Sequence, residues 1–84
     1  MKYQALKQLK TKTKLLKLCD SLKEAHEVIK EDGGKFICFS YIGGFPAYRN
    51  EVYNRHYNIQ GLVEGLNVMC SLNKEELSKF NFND

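Results

Sequence analysis

Lys35-Phe-Ile-Cys-Phe-Ser-Tyr-Ile-Gly-Gly-Phe45 is the densest apolar stretch of the chain, and its reading decides the fold. Phe36, Ile37, Cys38, Phe39, Tyr41 and Ile42 are β-branched, aromatic or readily buried side chains. Gly33-Gly34 precede the run and Gly43-Gly44 close it. A short apolar run between turn signals predicts a strand with little exposure on either face. Gly43-Gly44 can take the positive φ angles of a tight hairpin turn, which returns the chain through Phe45 to Tyr53. Pro46 has no amide hydrogen, so the returning strand, with its body at Tyr48–Tyr53, is expected at a sheet edge or with an irregular start. An unpaired edge in so small a sheet invites pairing with a second copy.

On the N-terminal side, Ser21-Leu-Lys-Glu24 has the pattern of a capping box and predicts a helix over at least 22–31. Leu22, Ala25, Val28 and Ile29 would face the sheet, and Gly33-Gly34 would end the helix with a left-handed residue. Tyr3, Leu6 and Leu9 recur at helical spacing, which predicts a short N-terminal helix. Residues 11–19 read two ways: as part of a long helix through Leu15, Leu18 and Leu22, or as a strand before the cap.

Beyond the hairpin, Asn58 can cap a helix, Tyr57 and Leu62 have the spacing of a hydrophobic staple, and Ile59, Leu62, Val63, Leu66, Met69 and Cys70 form an apolar stripe. These predict a helix near 59–71, with Gly61 and Gly65 together on one flank. Asn73-Lys-Glu-Glu76 starts a last short helix near 74–80, and Phe80 is expected to pack down. The fold class that follows is α+β: a small single domain over residues 1–84, a β-hairpin or small antiparallel sheet packed against helices. Residues 1–12 and 81–84 are its expected frayed ends.

Length and composition narrow the function. With 84 residues, 43% hydrophobic and 27% charged, the composition is ordinary for a globular domain with one modest core. The net charge of +3 does not by itself imply nucleic acid, but its distribution is uneven. Lys2, Lys7, Lys10, Lys12, Lys14 and Lys17 all precede the first acid, Asp20. That basic end could meet phosphates, an acidic protein surface or an anionic membrane, although a solvated lysine face is the plainer reading. Cys19, Cys38 and Cys70 form no close pair and sit among apolar neighbours, which suggests reduced, buried thiols in a cytoplasmic protein. The run at 36–42 is too short to span a bilayer, so no membrane partner is expected.

The richest constellation is Tyr48-Arg-Asn-Glu-Val-Tyr-Asn-Arg-His-Tyr57. Tyrosine rings stack on unpaired bases and guanidinium groups contact phosphate, the chemistry of single-strand and RNA recognition. The same residue types also dominate protein interfaces, and the plainest alternative makes the tyrosines core. If the stretch is one extended strand, Arg49, Glu51, Tyr53 and Arg55 share one face, and Tyr48, Val52 and His56 the other. The candidate binding residues are Lys10, Lys12, Lys14, Tyr48, Arg49, Tyr53, Arg55, His56 and Tyr57.

Catalysis has thinner support. His26 and His56 could act as base and acid of a small metal-free ribonuclease, but His26 in an amphipathic helix is more simply a surface residue. The dispersed cysteines give no metal spacing, and the glycine pairs match no phosphate loop, so no cofactor or metal is expected. The sequence therefore points to a small non-enzymatic binding protein, a regulator or inhibitor docking RNA or a nucleic-acid-handling protein. A homodimer is the expected state, and a phage or mobile element would suit such a stand-alone inhibitor. The alternative is a purely protein-directed module.

Overall fold

The computed structural model describes residues 2–41, 43–63, 68–70 and 72–84, with 68–70 as backbone. The elements run β1 (Tyr3–Gln8), β2 (Thr13–Cys19), α1 (Leu22–Glu31), β3 (Lys35–Phe39), β4 (Pro46–Asn50), β5 (Arg55–Val63), β6 (Val68–Cys70) and α2 (Lys74–Lys79). The strands form one antiparallel sheet in the order β2-β1-β5-β4-β3, and β6 pairs with the far end of β5. An α+β class is thus met with a sheet larger than a hairpin and a small helical share.

The first strand corrects the expected N-terminal helix. Tyr3 and Ala5 alternate with Gln4, and β1 is hydrogen-bonded on both sides, to β2 and to β5. Pairing of Leu6 and its neighbours with distant residues outweighs a helical spacing of only three residues. The open alternative at 11–19 is a strand over Thr13–Cys19. A bulge sets Leu6 opposite Leu15 and Ala5 opposite Lys17, leaving Leu16 as the extra residue, packed against the core.

Helix α1 starts at the Ser21 cap, with the reciprocal bond of the box displaced to the residue before it. Ser21 Oγ accepts from the amide of Glu24 at 3.1 Å, and the Glu24 carboxylate accepts from the amide of Asp20 at 3.4 Å. The helix crosses one sheet face between the two edge strands and buries Leu22, Ala25, His26 and Ile29 against Tyr3, Ala5, Cys19, Tyr57 and Ile59. His26 is therefore a core residue, not the surface histidine the sequence suggested. At the helix end Gly33 has φ +100°, and a Cβ there would stand 2.5 Å from Asn50 Nδ2, so both backbone and space require glycine.

The β3–β4 hairpin is present, and Gly43 and Gly44 have φ +77° and +67°. Its returning strand is not an edge, however: β4 lies between β3 and β5. Pro46 is accommodated as the first residue, because the ladder to β5 begins only at Ala47 opposite Asn58. Along the five-strand path the terminal strands are β2 and β3.

The expected helix near 59–71 is also corrected. Tyr57, Ile59 and Gly61 alternate inward along β5 while His56, Asn58, Gln60 and Leu62 occupy the other face. Asn58 therefore caps nothing. Residues 64–67 and 71, including Gly65 of the glycine flank, lie outside the described residues. Helix α2 starts at Asn73, whose side chain accepts from Glu75 N at 2.9 Å. Beyond it Phe80 and Phe82 pack against His26 and Phe36, so α2 and its tail extend the cover of the same sheet face. Among the described residues, no helix lies over the opposite face of the sheet.

Candidate nucleic-acid interface

Antiparallel pairing brings the lysine-rich turn and the tyrosine–arginine stretch to one end of the sheet. Gln8 lies opposite Thr13 on one side and His56 on the other, His56 lies opposite Arg49, and Arg49 opposite Lys35. Partners across a ladder point to the same side, so Thr13, Gln8, His56, Arg49 and Lys35 form one row across the open face. Five strands at ~4.8 Å spacing make that row about 19 Å long. The turns at residues 9–12 and 51–54 project from the same end. Lys10 and Lys12 are exposed in the first of them.

The second turn interrupts what the sequence suggested was a continuous strand. Asn50, 7% exposed, accepts through Oδ1 from the amides of Val52 and Tyr53 at 3.0 and 3.1 Å. Its Nδ2 donates to the Asp32 carbonyl at 3.4 Å, which ties the turn to the end of α1. Arg49 Nη2 donates to Asn54 Oδ1 at 2.9 Å, and Asn54 takes the left-handed conformation at φ 52°. The turn is thereby fixed before any ligand arrives, and it presents Val52 and Tyr53 at 83% and 72% exposure.

The turn also resets the parity of the chain. Arg49 and His56 now share the open face, whereas the extended reading had separated them. Arg55 lies opposite Asn50 on the helix side and is half-buried. Lys14, opposite Lys7, belongs to that side too; its charge helps hold the Asp32 carboxyl down.

Tyr48 and Tyr57 are core residues, and their rings are closed to a ligand. The Tyr48 hydroxyl donates to His26 Nδ1 at 2.6 Å, while His26 Nε2–H donates to the Asp84 carbonyl at 3.1 Å. A carbonyl only accepts, so this partner fixes the tautomer. Burial raises the Tyr48 pKa well above its usual value. Tyr57 donates to Asp32 Oδ2 at 2.7 Å, and Lys7 Nζ donates to the same oxygen at 2.8 Å. The Lys7 hydrogen bond is the main cause of a lowered Asp32 pKa. The Tyr57 pKa is raised, first by burial and then by its bond to Asp32. These tyrosines serve the fold.

The two histidines do not meet. His26 lies under the helix-covered face and His56 on the open one, with the sheet between them, so they cannot converge on one substrate as an acid–base pair. Cys19 is buried, and burial pushes its thiol up to about 11. Cys38 is exposed, contrary to expectation, because the bulge at Ile37 turns it to the open face beside Ala47. The Cys70 side chain lies outside the described residues. Among the described residues, no three His, Cys, Asp or Glu side chains are grouped to hold a metal, and no helix is long and apolar enough to cross a membrane.

Sequence reasoning missed the uncharged part of the open face. Gln4, Gln8, Asn58 and Gln60 put a patch of carboxamides beside the cationic row. Thr13 Oγ1 donates to Gln8 Oε1 at 2.8 Å, and Gln8 Nε2 donates to Asn58 Oδ1 at 2.9 Å. The alternation of β5 could have revealed them had it been preferred to the helical stripe. No protein-family model matches this chain, and no curated protein or solved structure matches it either.

Proposed function

We propose that this chain is a small non-enzymatic binding protein that regulates or inhibits by holding single-stranded RNA across the basic end of its open sheet face. The observation that carries the reading is the row Thr13, Gln8, His56, Arg49 and Lys35, flanked by the lysine turn and the fixed Tyr53 turn. Cations spaced along a sheet end can track a phosphate backbone, and an exposed ring beside them can stack on a base without sequence preference. With Tyr48 and Tyr57 in the core, Tyr53 is the stacking ring of the sequence-derived set that remains accessible.

Filter binding of single-stranded RNA at low and physiological salt tests the proposal. Affinity should fall steeply as salt rises, and the log–log slope should flatten by about 0.7 for each phosphate contact removed. Replacing Lys10 and Lys12 by alanine should weaken binding evenly across sequences. Absence of binding at low salt rejects the proposal.

A second reading, the protein-directed module, is favoured by the β3 edge, where Ile37 and Phe39 are half-exposed. An unpaired edge with apolar side chains suits strand addition by a second copy of the chain. Light scattering that finds a monomer up to high micromolar concentration rejects that homodimer.

A further inference from the structure

The open face holds a cavity of about 360 Å³ lined by Gln8, Phe45, Ala47, His56, Asn58 and Gln60. It shares Gln8 and His56 with the row and extends from it along β5, away from the cations Arg49 and Lys35. Ser40 and the edge of Tyr57 complete the lining, which holds no Lys, Arg, Asp or Glu: three carboxamides, a hydroxyl, an imidazole, two aromatic rings and one methyl group. A phosphate finds little to hold it there, whereas a flat, neutral, hydrogen-bonding group finds both polar and apolar walls. Ligand sites typically start near 300 Å³, so the space suits one small ring system and not a larger ligand.

The hydrogen-bond pattern points the same way. The relay from Thr13 through Gln8 ends on Asn58 Oδ1, which directs the Asn58 carboxamide and leaves its Nδ2 donors outside the relay. Two residues along the same strand face, Gln60 Oε1 is buried with no hydrogen-bond partner among the described residues. Buried acceptors of this kind are uncommon and call for a physical reason. The Asn58 donors outside the relay and the unsatisfied Gln60 acceptor complement an acceptor and a donor on the edge of a nucleobase. A single Asn or Gln carboxamide offers both functions in one plane to a base edge; here two carboxamides, two residues apart on one strand face, divide them. Phe45 supplies a ring against which the base can lie.

We infer that the cavity between Phe45, Asn58 and Gln60 receives one unpaired nucleobase, read through the two carboxamides, while Arg49, Lys35 and His56 meet the adjoining phosphates. The inference rests on the RNA-binding reading above and adds to it a base-reading site.

The test compares fluorescent single-stranded RNA decamers by anisotropy at low salt: intact homopolymers of A, C and U, and an abasic decamer with the same backbone. Competition with the free nucleoside monophosphates shows whether the base must arrive on a strand. The intact strand that fits best should bind at least about fivefold more tightly than the abasic one, the effect of one stacked base. The double variant Asn58→Ala, Gln60→Ala should lose the differences among A, C and U while keeping the salt dependence. Its circular dichroism and melting curve establish that it is folded, and Tyr53→Ala, which should keep the differences among A, C and U, separates the base site from stacking at the turn. Displacement by one monophosphate at micromolar concentration supports the base site and identifies a free nucleotide as sufficient. Equal affinity for intact and abasic strands overturns the base site but leaves the phosphate-tracking reading standing. Failure of both strands to bind at low salt overturns both.

Discussion

Replacing Asn50 by alanine removes the side chain that fixes the presenting turn. Asn50 is nearly buried and accepts from two turn amides at 3.0 and 3.1 Å, with a longer contact at 3.4 Å to the Asp32 carbonyl. Net values near 1 kcal/mol for each of the two good bonds give a loss of ~2 kcal/mol. A chain of this length has a total stability of about 4–13 kcal/mol, so the loss is substantial. For a domain of this size it should lower the melting temperature by about 8–16 °C. Asn50→Asp keeps an acceptor for both amides but sets a nearly buried carboxylate oxygen against the Asp32 carbonyl, so it should not restore the stability at neutral pH. Urea denaturation measures the free energy, and amide hydrogen exchange at Val52 and Tyr53 locates it. A loss below about 0.5 kcal/mol, the range of an ordinary surface substitution, with unchanged exchange at both amides, refutes the claim that Asn50 holds the turn.

Three further outcomes concern the Asp32 pairing, the His26–Tyr48 bond and the thiols on either face of the sheet. Because the folded-state pKa of Asp32 is lowered, chiefly by the Lys7 hydrogen bond, its contribution is present above the unfolded carboxyl value near about 4 and lost as pH falls through the folded one. Asp32→Asn should therefore flatten the acid limb of a stability profile, measured as urea midpoints across that range; an unchanged limb contradicts the pairing. His26→Phe leaves the enclosed Tyr48 hydroxyl without its partner and should cost about 1–3 kcal/mol. Adding Tyr48→Phe should recover part of that cost in a double-mutant cycle, and strict additivity would deny the bond. Thiol labelling followed by peptide mass spectrometry should find Cys38 modified rapidly and Cys19 slowly, since one is exposed and the other buried with a raised pKa; the reverse order contradicts the bulge at Ile37.

The parts of the fold legible in the sequence are those set by local chemistry. Ser21 and Glu24 define a cap within four residues, Gly43 and Gly44 a turn, and Asn73 another cap; each needs no distant partner. The strands at either side were misread where the same residues satisfy two periods. Ile59, Leu62 and Val63 fit a helical stripe, yet Tyr57 and Ile59 also alternate, and only pairing with Ala5 and Tyr48 through β1 and β4 decides between them. The same nonlocal pairing determines the candidate site. Composition singled out Lys10, Lys12, Arg49 and Tyr53, but which tyrosines were available depended on the turn held by Asn50. That turn places Tyr48 opposite Tyr57 in the core and Arg49 opposite His56 outside it. The carboxamides of the open face carry no charge or motif, and they acquire meaning only as neighbours on a paired sheet.

Nuclear magnetic resonance titration of the isotope-labelled protein with a single-stranded RNA decamer at low salt locates any contact residue by residue. If RNA lies across the basic end of the open face, the amides of Gln8, Thr13, Lys35, Arg49 and His56 should shift together with Tyr53 of the turn. Lys23 and Glu27, on the outer side of α1, should stay unchanged. Shifts confined to Ile37 and Phe39 at the β3 edge, or no shifts at a saturating RNA concentration, would contradict an RNA-binding face.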